Sequence, residues 1–125
     1  MKTIAIDFDG TIAGIEHFPD IGEPEPGVVH AIRALKVAGY LIVIHSCRLS
    51  RGEFPTRAVE AHRLAVQAFL SAHGIPYDHI WMEEGKPIAW AYIDDKGIRY
   101  EKNWPAIEAM LLGPLMPNEL RKKPC

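Results

Sequence analysis

Two carboxylates stand one residue apart in the stretch Asp7-Phe8-Asp9-Gly10-Thr11. The run before them, Ile4-Ala5-Ile6, is too short for a helix and rich in β-branched residues, so it reads as a buried strand delivering both acids at its end. Phe8, the odd position, points the other way or packs beneath the loop, and Gly10 permits a sharp exit that a bulkier residue would resist. Asp7 and Asp9 can then share one small volume. Carboxylates that close repel unless a cation or a proton sits between them, and oxygen-rich surroundings without soft ligands favour magnesium over zinc. The plainer reading is a turn, because Asp-Gly is common turn chemistry.

Further polar residues fall at the ends of later elements. After Thr11, the stretch from Ala13 to Pro26 carries Gly14, Pro19, Gly22, Pro24 and Pro26, a density of breakers that excludes a long helix. It reads as a loop or short hairpin overhanging the first strand's end, with His17, Phe18 and Asp20 on it; for His17 a solvated loop side chain is the plainer reading. From Pro26 onward Val28, Ile32, Leu35 and Ala38 recur at helical spacing, and Gly39 supplies the stop. Tyr40 to Ile44 is an unbroken apolar run that ends in His45-Ser46-Cys47-Arg48, a second buried strand with polar residues at its end. Strand, helix, strand implies a right-handed parallel unit, and ligands bind outside the carboxyl ends of such strands. Ser46 and Arg48 therefore arrive near Asp7 and Asp9 by topology.

Leu49 to Pro55 is a polar loop with Arg51, Gly52 and Glu53, and Thr56 precedes a long helical pattern that Gly74 ends. A third short strand lies between Ile75 and Trp81, and Met82 to Pro87 is a loop presenting Lys86. Ala89 to Ile93 forms another strand, running into Asp94-Asp95-Lys96-Gly97, a second carboxylate cluster. Trp104 to Leu112 reads as a closing helix with Pro105 in its first turn, ended by Gly113-Pro114. The segment from Leu115 to Cys125 reads as a loosely held tail.

The chain of 125 residues is the size of one domain, with a net charge of -2 and 24% charged residues. Its Lys and Arg are dispersed, which disfavours a nucleic-acid partner. Two cysteines, Cys47 and Cys125, make neither a disulfide framework nor zinc spacing, so a reducing cytoplasm is the expected compartment and Cys47 reads as a buried small residue without a catalytic role. No apolar stretch approaches the roughly 20 residues of a membrane span, and no signal segment is visible. The scattered His45, His62, His73 and His79 lack metal-ligand spacing. Trp81, Trp90 and Trp104 read as packing residues.

The order of these elements is more specific than any one of them: Asp-x-Asp-Gly-Thr after the first strand, Ser46 after the second, Lys86 in a loop, then Asp94-Asp95 after a later strand. In this the chain, from Ile4 to about Leu112, resembles the haloacid dehalogenase-like superfamily. The resemblance implies Asp7 as nucleophile, Asp9 as general acid and base, Ser46 as a phosphate-holding hydroxyl and Lys86 as the neutralising cation. It also implies magnesium held by the Asp7 carboxylate, the Asp9 backbone carbonyl, Asp94 directly and Asp95 through water. Gly10 and Thr11 would contact the phosphate. Arg48 and Arg51 can grip a second anionic charge on the leaving group, or be solvated as exposed arginines commonly are. The presence of both acids favours a phosphatase over a dehalogenase.

The expected fold is a three-layer α/β/α sandwich on a parallel, Rossmann-like sheet of about five strands, with the Asp7 strand central and Asp94 beside it. Residues 1–112 form the core domain and 113–125 the tail. No cap domain fits: Ala13 to Gly27 is only 15 residues, and one helix and one strand consume the chain between Ser46 and Lys86. An open site suits a bulky phosphorylated substrate, or a small one covered by a second subunit. Two alternatives stay open, an aspartyl-phosphate signalling module and a phosphate-binding protein without turnover. Receiver-type signalling modules place their lysine last, however, whereas Lys86 precedes Asp94.

Overall fold

The computed structural model describes residues 1–50, 52 and 54–113. Arg51 and the expected tail from Leu115 to Cys125 lie outside the described residues. The chain divides into two compact units, Met1–Asp94 and a second beginning at Asp95.

In the first unit, β1 (Thr3–Asp7), β2 (Leu41–His45), β3 (His79–Ile80) and β4 (Ala91–Ile93) form a parallel sheet in the order β3-β2-β1-β4. Four strands are present among the described residues where about five were expected. The last two are shorter than the apolar runs that announced them: β3 keeps two residues and β4 three. β1 is the central strand and has the most continuous burial, with Ile4, Ala5, Ile6 and Asp7 all buried. Successive side chains of a strand point to opposite faces, so such a run means that both faces are covered.

Two helices make the crossovers, α1 (Val28–Val37) between β1 and β2 and α2 (Thr56–Ala72) between β2 and β3. α1 buries Ile32, and α2 buries Val59, Val66 and Leu70, successive positions seven and four apart on one helix face. Ile32, Val66 and Leu70 join Ile4, Ile6, Ile42 and Ile44 in one apolar core. Phe8 completes it at the end of β1: it is fully buried and meets Phe69 of α2 edge-on at 5.2 Å between ring centroids. The lower end of the sheet is tied by Asp78, whose amide donates to Ile42 O (2.9 Å) while its carboxylate accepts from Ile42 N (2.7 Å) and Lys36 Nζ (2.6 Å).

The segment after Asp9 is a tight turn followed by a small hairpin. Phe8 O accepts from the amides of Thr11, Ile12 and Ala13 at 3.0 to 3.3 Å, and Gly10 takes φ 81°, a conformation in which residues with a Cβ are strained. Gly14 N then donates to Glu23 O and Glu25 N to Ile12 O. The two arms approach so closely that a Cβ on Gly22 would lie 2.4 Å from Gly14 O. No cap is inserted here or between β2 and β4 among the described residues.

In the second unit, α3 (Trp104–Leu112) has the bounds expected from the sequence, with Pro in its first turn and Ile107 buried. Asn103 Oδ1 accepts from Glu101 N at 2.8 Å, a turn that leads the chain into the helix. No described helix is long and apolar enough to cross a membrane.

Candidate active site

The carboxyl end of the sheet collects the chemistry-bearing residues. β1 and β2 pair so that Asp7 is level with His45, and Phe8 N continues the ladder to His45 O at 3.1 Å. On the other flank Ile6 pairs with Ile93, so Asp7 and Asp94 leave neighbouring strands at the same level. Asp7 is 7% exposed, whereas Asp94 is an exposed residue immediately after the edge strand. Asp95 opens the second unit.

Asp9 is buried, and its partner is Arg48. The guanidinium takes the carboxylate in a two-pronged grip, Nε donating to Oδ2 at 2.6 Å and Nη2 to Oδ1 at 2.7 Å. Nη1 donates to Pro19 O at 2.6 Å and Nη2 also to Asp20 O at 2.8 Å. Four of the five N–H donors of an arginine are thus satisfied by protein acceptors. Arg48 is 2% exposed, so the solvated side chain envisaged from the sequence is not what forms. The reason is topological: the turn after β2 opens directly beside the turn after β1, and a buried carboxylate there supplies the countercharge that burial of a guanidinium requires.

Ser46 precedes a short 3-10 turn, Cys47–Leu49, whose first free amide it caps: Ser46 Oγ accepts from Arg48 N at 3.2 Å. The same hydroxyl points its proton toward Asp9 Oδ2 across a long 3.5 Å contact. Cys47, read from the sequence as a buried small residue, is half-exposed and is not a free thiol.

Aromatic rings cover the ion pair. Phe18, on the segment after β1, lies over the Arg48 guanidinium at 5.0 Å and stacks on Phe54 at 5.5 Å. His62 of α2 packs against both rings, at 5.3 and 5.2 Å. Its burial, and then the charge of Arg48, hold the His62 pKa below the usual imidazole value, with Asp9 pulling the other way. This cluster was not read from the sequence, because Phe18, Phe54 and His62 share no spacing and meet only through the fold. His17 is exposed.

Gly10 and Thr11 contribute differently from each other. The amide of Gly10 is occupied, donating to Ala13 O at 2.7 Å. Thr11 Oγ1 is a buried hydroxyl with no hydrogen-bond partner among the described residues. Lys86 is exposed on its loop, its ammonium 3.9 Å above the ring of Tyr92, whose own hydroxyl donates to Pro87 O at 2.5 Å.

Among the described residues no three His, Cys, Asp or Glu side chains are gathered as a ready-made cation cage. Magnesium does not need one, since it keeps several waters and is commonly bound by one or two carboxylates together with substrate phosphate. The donors at hand, Asp7 and Asp94 at the ends of adjacent strands, are all oxygen and fit that ion. With the Asp9 carboxylate engaged by Arg48, only its backbone carbonyl remains for such a role.

No protein-family model matches the chain, and no curated protein does. Among solved structures, a Vibrio cholerae protein is 28% identical over 79% of this chain and 84% of its own, with a TM-score of 0.55. A conserved protein from Bacteroides thetaiotaomicron is 29% identical over 88% of each chain, with a TM-score of 0.54. A D,D-heptose 1.7-bisphosphate phosphatase from B. bronchiseptica, crystallised with magnesium and phosphate, is 29% identical over 70% of this chain and 52% of its own, but its TM-score of 0.47 adds no weight. The four motifs in their order, with Asp7, Ser46 and Asp94 at the carboxyl ends of a parallel sheet whose central strand is β1, resemble the pattern of the haloacid dehalogenase-like superfamily, and the fold is consistent with it.

Proposed function

We propose that the protein is a magnesium-dependent phosphatase that hydrolyses a phosphate monoester through an aspartyl-phosphate on Asp7, with Asp9 as general acid and base. The observation that carries the reading is the placement of Asp7 at the end of the central strand, with Asp9 two residues on and Asp94 immediately after the adjacent strand, whose last residue, Ile93, pairs with Ile6. A phosphate dianion repels an anionic nucleophile. Bound magnesium would neutralise charge between them and orient the phosphate, held by Asp7, Asp94 and the Asp9 carbonyl.

The chain's own residues divide the rest. An Asp7 oxygen attacks phosphorus as the bond to the leaving alcohol breaks, giving a mixed anhydride on residue 7. Asp9 delivers a proton to the departing oxygen, then removes one from the water whose attack on phosphorus frees Asp7. Ser46 and Thr11 are the hydroxyls nearest to hold the transferring oxygens, and Lys86, leaving Tyr92, is long enough and exposed enough to add positive charge. Since both Asp9 oxygens accept from Arg48, one of those bonds must exchange for Asp9 to carry the proton.

That last feature favours a second reading, in which the phosphorylated Asp7 persists and the protein acts as an aspartyl-phosphate signalling or phosphate-binding module. A trapping experiment separates the two. Protein mixed with magnesium and p-nitrophenyl phosphate or acetyl phosphate, then reduced with borohydride, should carry homoserine at position 7 only while substrate lasts. An adduct that outlives the substrate, with no phosphate released, supports the signalling module; the absence of any adduct or release removes both.

A further inference from the structure

We propose that Arg48 is a positioning residue, which fixes the Asp9 carboxylate and the segment Phe18–Asp20 through one buried guanidinium and does not bind substrate. The kinetic part of this inference rests on the phosphatase reading above. Its geometric basis does not.

A guanidinium is planar, and its donors are set at fixed angles. Nε and Nη2 occupy the two Asp9 oxygens in a parallel pair, which fixes the plane of the carboxylate as well as its position. The remaining edge, through Nη1 and the second hydrogen of Nη2, is spent on Pro19 O and Asp20 O. One face lies beneath the Phe18 ring, itself stacked on Phe54. At 2% exposure neither an edge nor a face of Arg48 is presented to a ligand. Its backbone is fixed too, since the Arg48 amide donates to Ser46 Oγ.

Asp9 and the overhanging segment are therefore fastened by the same cation. Neither Pro19 O nor Asp20 O is a charged group, so neither could keep a guanidinium buried without the Asp9 carboxylate. Conversely, loss of Arg48 releases the carboxylate's orientation and the segment together. A lysine supplies a point charge without the fork, and would hold Asp9 at one oxygen only.

The test compares wild type, Arg48→Lys and Arg48→Ala with magnesium and p-nitrophenyl phosphate. A misplaced catalytic group costs on the order of 10²-fold, so kcat of Arg48→Ala is expected to fall by ~100-fold. KM should stay within about twofold, because no substrate contact is lost. Added guanidinium ion should restore part of kcat to Arg48→Ala, and Arg48→Lys should fall between the two. A KM raised about tenfold with kcat retained would mean that Arg48 grips substrate and would overturn the proposal. If Arg48→Ala does not fold, Arg48→Lys carries the same split.

Hydrogen exchange gives a readout independent of turnover. Amides 17–20 should exchange faster in Arg48→Lys than in wild type, while β2 remains protected. Unchanged exchange at 17–20 would overturn the fastening. Wild type that releases no phosphate would sink the phosphatase reading and leave the exchange result to decide the role of Arg48.

Discussion

The two flanks of β1 finish the same site in opposite ways. Toward β2, Asp9, Ser46 and Arg48 interlock in a buried cluster roofed by aromatic rings. Toward β4, Asp94 and Lys86 are exposed, and the nearest described partner of the lysine is a tyrosine ring. On the first flank the chain itself supplies the countercharge, so folding alone completes the arrangement. On the second, side chains stay within reach of solvent, where a cation and a phosphate can arrive. One half is built by folding and the other is accessible to what binds.

The contrast predicts unequal sensitivity of stability to substitution. Arg48→Met leaves a buried carboxylate without its cation and should destabilise by about 3–5 kcal/mol in urea unfolding. Asp9→Ala should do the same from the other side, and the double variant should cost less than the sum. A loss below about 1 kcal/mol for Arg48→Met would mean that the buried flank is no more firmly built than the exposed one.

A smaller effect is expected from His62, and it depends on pH. Its pKa is held low by burial and by Arg48. On acidification the unfolded chain therefore takes up this proton near the usual imidazole pKa of ~6.5, and the folded chain only at lower pH. The contribution is complete above that value and is lost as pH falls from it through the folded pKa. The urea midpoint of wild type should drop on going from about pH 7 to 5.5, and that of His62→Gln should drop less. Equal drops would place His62 outside the cluster's electrostatics.

The smallest stability effect belongs to the β4 flank. Lys86→Met should change stability by no more than about 0.5 kcal/mol, since the side chain is exposed. The same variant should nevertheless lose most magnesium-dependent turnover. Unfolding curves beside phosphate release measure both, and a stability loss comparable with that of Arg48→Met would erase the contrast between the flanks.

Much of this was legible in the chain because it rests on local pattern. Ile4-Ala5-Ile6 before Asp7, the helical spacing from Val28, and the Pro105 start of α3 each announce an element by composition and period. The convergence of Ser46 and Arg48 on Asp9 also followed, from the topology of a parallel sheet. What local pattern does not carry is pairing. Arg48 reads as one more polar residue after a strand, and only the close packing of the turns after β1 and β2 makes it the partner of Asp9. The turn after Asp9 likewise closes on itself, the Gly10 amide donating to the Ala13 carbonyl, a pairing that no local pattern announces. The short β3 and β4 were overestimated because apolar runs mark burial better than they mark ladder pairing.

The central claim is that Asp7 is the nucleophile of a magnesium-dependent hydrolysis. The most direct measurement is phosphate release from p-nitrophenyl phosphate by wild type and Asp7→Asn, with and without magnesium. The account predicts release by wild type only with magnesium, and none from Asp7→Asn under either condition. Release by Asp7→Asn at the wild-type rate would contradict it, because the bond to phosphorus would then be made by another group.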